Sequence, residues 1–172
     1  MNIKLLIVNS LILFFALQSE AQSCKDISTY KDSRTGVTKH ETPLSMDIKL
    51  IKSVNPKDTG EAKTSYFIYL QVLSPNVRSN QKGCKIVLSD STVLNFPEQT
   101  VLVDQITSYG GINIHRYSAT VPLTYAEIKK IEENSISNFW VFVQESTVSK
   151  LIQDKKFAKN LKRQITCLIN AQ

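Results

Sequence analysis

Histidine is scarce in this chain of 172 residues, which has only His40 and His115. Its three cysteines, Cys24, Cys84 and Cys167, lie far apart. With no H-x-x-x-H and no closely spaced cysteine pair, a zinc or iron site assembled from local ligands is excluded. Five glycines in all leave no G-x-x-x-x-G-K phosphate cradle, and the many serines include no G-x-S-x-G elbow. No apolar run reaches the roughly 20 residues that a membrane-spanning helix needs. Each histidine is expected to be an ordinary, partly exposed strand residue, since a lone imidazole makes no site without partners. Glu132 and Glu133 are adjacent and point about 100° apart on a helix, so they form a solvated face and not an acid–base pair.

The strongest local signal is N-terminal. Lys4 precedes a nearly continuous apolar stretch over residues 5–17, which Gln18, Ser19 and Glu20 then end. An apolar core of that length with small residues at Ser19 and Ala21 is the pattern of a secretory signal peptide. Residues 1–21 are therefore read as the signal, and 22–172 as one exported domain, periplasmic or secreted. Cys24 opens a second reading, because the small Ala21 shortly precedes it. A diacylglyceryl anchor on Cys24 would tether the protein to the outer membrane, although the large aliphatic residue usual three positions before such a cysteine is missing. Lipidation would leave Cys84 and Cys167 to pair across a long loop. Alternatively, Cys24 pairs with one of them, and one thiol stays free.

Charge is unevenly placed. The formal balance of +6 survives loss of the signal, because Lys4 and Glu20 leave together, and most of it sits at the C-terminus. There Phe157, Leu161, Ile165 and Leu168 fall on one stripe at a period of 3.6, with Lys155, Lys159, Lys162 and Arg163 opposite. This predicts an amphipathic helix over about residues 154–170, laid on a sheet by its apolar side. An earlier helix, ending near Asn134, is marked by the capping box Thr124, Tyr125, Ala126 and Glu127, with Ile128 and Ile131 behind it.

The rest reads as strands. Gly36 centres a turn between two short extended pieces, and Met46, Ile48 and Leu50 alternate with Asp47 and Lys49. Residues 66–73 are apolar on both faces, which predicts a central strand covered on each side. Residues 84–90 and 92–96 form a hairpin. A change of apolar parity after Ile114 points to a β-bulge near His115, residues 136–144 give a buried aromatic strand, and 147–152 return beside it. The expected fold is one α+β domain: a mostly antiparallel sheet of about seven to eight strands with two helices, the C-terminal one packed on the sheet.

The opening Tyr30, Lys31 and Asp32 to Thr38 and Lys39, the hairpin from Cys84 to Phe96, the late aromatic strand and the closing helix with Cys167 together resemble short, uncharacterised exported bacterial proteins. The resemblance extends over most of residues 22–172. It implies export and an α+β fold, and it transfers no site residue and no activity.

A non-enzymatic role in the cell envelope, by binding or by structure, is the resulting expectation, with no cofactor. The basic face of Lys155, Lys156, Lys159, Lys162 and Arg163 suits an anionic envelope surface or another envelope protein more than nucleic acid. One alternative is a small-ligand carrier whose pocket is lined by Tyr66, Phe67, Tyr69, Phe139, Trp140 and Phe142. Another is a hydrolase assembled from scattered residues.

Overall fold

The computed structural model describes residues 24–56, 62–75, 82–109, 112–143, 146–152 and 155–171, so the signal segment lies outside the described residues. Among the described residues, ten strands and two helices follow in the order β1 (Ser28–Lys31), β2 (Thr38–Glu41), β3 (Ile48–Asn55), β4 (Lys63–Ser74), β5 (Lys82–Leu88), β6 (Val93–Thr100), β7 (Leu102–Tyr109), β8 (Ile112–Leu123), α1 (Tyr125–Asn134), β9 (Ile136–Val143), β10 (Ser146–Leu151) and α2 (Lys155–Asn170). They build a six-stranded sheet, β1-β2-β3-β4-β8-β7, and a four-stranded one, β10-β9-β5-β6. Every pairing is antiparallel. The α+β class and the packed C-terminal helix hold, with two sheets in place of one.

Alternation along β4 explains the layering. Tyr66, Ile68, Leu70 and Val72 are buried on one face, and register sets Leu50 and Val121 on either side of Ile68, and Ile48 and Ala119 on either side of Leu70. In the smaller sheet Ile86 lies between Leu94 and Phe139, all buried. The two apolar faces meet where β9 and β10 lie against β4, and β6 and β9 against β8. Helix α2 covers the neighbouring part of the large sheet at β3, and α1 packs on α2 and β8. The core is thus continuous from the inter-sheet layer to the helices.

Both helices form for the predicted reasons. The Thr124 hydroxyl accepts from the Glu127 N–H at 3.2 Å, and the Glu127 carboxylate accepts from the Thr124 N–H at 2.7 Å, which satisfies two otherwise orphaned donors at the start of α1. Ile128 and Ile131 are buried. On α2, Phe157, Leu161, Ile165 and Leu168 are all buried, and so is Gln164, which borders that stripe on the Phe157 side. Glu132 is half-buried, not simply solvated: it accepts from Lys129 at 2.6 Å and from the Thr166 hydroxyl at 2.6 Å, tying α1 to α2. Burial opposes its ionisation, but those hydrogen bonds and the cations Lys129 and Lys162 outweigh it, and the carboxyl stays below its usual range.

Several expectations are corrected. Residues 66–73 are covered on one face only: Phe67 and Tyr69 are half-buried on the outer side, and Leu73 is 54% exposed. Met46 and Asp47 belong to a turn and not to β3. The bulge expected near His115 exists, but its extra residue is on the partner strand, between Gln105 and Thr107 of β7. Trp140 faces outward, with the Lys85 ammonium 5.1 Å from its ring. The side chain of Phe142 lies outside the described residues. Pro97 is accommodated because β6 is an edge strand.

The cysteine pairing also differs from the Cys84–Cys167 expectation. Cys24 is bonded to Cys167, with Cα atoms 5.4 Å apart, while Cys84 is free and fully buried. Strand parity is the reason. Cys84 points into the inter-sheet core between Phe96 and Val141, whereas Cys167 sits beside β1 in the last turn of α2. Burial pushes the Cys84 thiol up to about 12.

Candidate functional site

The exposed flank of α2 and the tip of the β2–β3 connection enclose a groove. Ser45 and Met46 line one side, and Lys156, Phe157, Lys159, Asn160, Lys162 and Arg163 line the other, around a volume of about 840 Å³. Four of the five residues expected on a basic face therefore share one concavity. Lys155 is exposed nearby without lining it.

Helical spacing explains the two characters of this wall. Phe157 belongs to the buried stripe and forms the floor, while Lys156, Asn160 and Arg163 stand on one flank at intervals of four and three. Lysine side chains lay their methylene stems along apolar surface while the ammonium stays wet. The lining is accordingly mostly apolar and its rim is cationic. The first turn of α2 contains Lys155 and Lys156 and no acidic residue, so like charge is added to the positive end of the helix dipole. Arg163 is engaged, at 2.7 Å from the Asp26 carboxylate and 2.8 Å from the Asn160 side-chain oxygen. Among the described residues, the Lys159 and Lys162 ammonium groups make neither ion pair nor hydrogen bond, although the Lys162 charge helps hold the Glu132 carboxyl ionised.

Met46 reaches the groove through an unusual turn. Ser45 and Ile48 exchange both backbone hydrogen bonds at 3.0 Å, which leaves Met46 and Asp47 as a two-residue loop with φ of +50° and +66°. Such a loop favours asparagine and glycine, and a left-handed residue with a side chain costs roughly 1–2 kcal/mol. Asp47 holds the conformation. Its backbone oxygen accepts from the Gln71 N–H at 3.0 Å, and its carboxylate accepts from the Gln71 side chain at 2.9 Å and pairs with Lys150. Sequence reading missed Met46, because apolar alternation with Ile48 and Leu50 made it look like strand.

The other candidates do not converge with this groove. His40 and His115 are buried, contrary to expectation, and each has an Nε2 without a hydrogen-bond partner in the structure. His40 Nδ1 is 2.9 Å from the Thr29 hydroxyl, and His40 borders a smaller cleft of about 300 Å³ with Cys24, Cys167, Ile27, Thr29, Asn170 and Ala171. Burial, then the nearby Lys52 charge, lower its pKa. The aromatics proposed for a carrier pocket are dispersed: Tyr66 and Phe139 are core, and Phe67, Tyr69 and Trp140 lie on outer faces. Among the described residues, no group of three His, Cys, Asp or Glu is placed to hold a metal ion, and no helix is long and apolar enough to cross a membrane.

In comparisons with known proteins, no family model, no curated protein and no solved structure matches this chain.

Proposed function

We propose that the protein is an exported, non-enzymatic binding protein that holds an anionic partner against the α2 groove. The observation that carries this reading is the gathering of Lys156, Lys159, Lys162 and Arg163 around one concavity. All four are exposed, and cations that converge on one concavity favour anions more than scattered surface charges do. Export is supported by the signal pattern of residues 1–21 and by the Cys24–Cys167 disulfide, a bond that persists in oxidising compartments. That bond uses the same sulfur that a lipid anchor would need, so it favours release after Ala21 over tethering. The intact mass should then match unmodified residues 22–172 less the hydrogens lost to one disulfide; a mass increased by a diacylglyceryl group would overturn this choice.

The binding reading is tested with Lys156→Gln, Lys159→Gln and Lys162→Gln combined. Arg163 is left intact because it also fixes Asp26. The triple variant should melt like the wild type and elute earlier from an anionic resin such as heparin. Unchanged elution in a folded variant contradicts the proposal.

A further inference from the structure

We infer that the ligand of this groove is a single-chain anionic amphiphile, its acid group among Lys156, Lys159 and Lys162 and its chain along Met46 and Phe157. The inference rests on the anion-binding reading and adds the apolar half of the ligand.

A site for a free anion would be small, polar and closed around its charge. This groove has the opposite balance, with a mostly apolar lining that carries exposed cationic side chains. Its volume of about 840 Å³ lies within the roughly 300–1,000 Å³ of small-molecule sites. Met46, in the lining, is 36% exposed, and Leu44 on the same connection is 48% exposed. Methionine is unbranched and adapts to irregular apolar partners, as a flexible alkyl chain requires.

Met46 is moreover kept at the groove by a backbone conformation that disfavours any side chain there. Local strain of this kind, maintained by the Asp47, Gln71 and Lys150 contacts, marks positions where function has opposed stability. The concave shape favours one chain taken up as a monomer over a flat bilayer surface.

Calorimetric titration of the purified protein with dodecyl phosphate below its critical micelle concentration tests this, alongside inorganic phosphate, dodecyl maltoside and heparin. Saturable one-to-one binding of dodecyl phosphate is expected, at least about tenfold tighter than inorganic phosphate or dodecyl maltoside, which corresponds to about 1.4 kcal/mol. Met46→Gly should weaken dodecyl phosphate binding and leave heparin retention unchanged. If dodecyl phosphate binds no better than phosphate while heparin is retained, the amphiphile is overturned and the anion reading stands. Equal binding of dodecyl maltoside overturns the charge requirement, and failure of every anion overturns both readings.

Discussion

The Lys52 ammonium, buried on β3, donates to the Ile169 carbonyl at 2.8 Å and also to the Ala171 carbonyl, so a sheet residue closes the C-terminal end of α2. The last carbonyls of a helix lack internal partners, and a cation there satisfies them and complements the dipole. Burial lowers the Lys52 pKa. Its strand neighbour in register is His40, 1% exposed and on the same face.

That neighbourhood makes stability depend on pH. Among the described residues, the groups facing His40 are Thr29 from β1, Lys52 from β3 and the Cys24–Cys167 end of α2, and none of these is anionic. A histidine whose folded pKa lies below its unfolded value of about 6.5 binds fewer protons when folded. Its contribution is therefore fully present above about pH 6.5 and is lost as pH falls through the folded pKa. Urea midpoints should fall between pH 7.5 and pH 5, and His40→Gln should flatten that slope. An equally steep slope in His40→Gln removes His40 as the cause.

The disulfide predicts two distinct thiol behaviours. Closing a separation of 143 residues is worth about 5 kcal/mol by the loop-entropy relation, and native disulfides of this kind cost about 2–5 kcal/mol to remove. Cys24→Ser should lower stability by that order in denaturant titrations. Cys84, buried and with its pKa pushed up to about 12, should react with a thiol reagent only after unfolding. Rapid labelling of one thiol in the folded protein would contradict the pairing.

At the groove, stability and binding should separate. Met46→Gly relieves a left-handed side chain and should raise stability by about 1 kcal/mol, because glycine adopts positive φ freely. The same change removes apolar contact from the groove. A higher melting temperature with weaker amphiphile binding is expected; a loss of stability would mean that Met46 is unstrained in solution.

What the sequence disclosed was what neighbours along the chain decide. The Thr124 and Glu127 capping box, the Phe157 to Leu168 stripe and the cations opposite it depend on residues three and four apart, and each is found where the pattern puts it. Pairings between distant segments were not legible. Nothing local says that Cys84 faces an inter-sheet core while Cys167 meets Cys24, or that a second sheet leaves the outer face of Phe67 and Tyr69 half open. The basic face was visible as a periodicity. Its concavity was not, because Ser45 and Met46 come from a hairpin more than a hundred residues away.

The most direct measurement of the central claim is a two-dimensional amide NMR titration of the protein with an anionic amphiphile. Saturable shifts confined to the turn around Met46 and to residues 156–163 are predicted, and they should be suppressed in the Lys156→Gln, Lys159→Gln, Lys162→Gln variant. Shifts centred elsewhere, or an unaltered response in the variant, would show that the α2 groove is not the binding site.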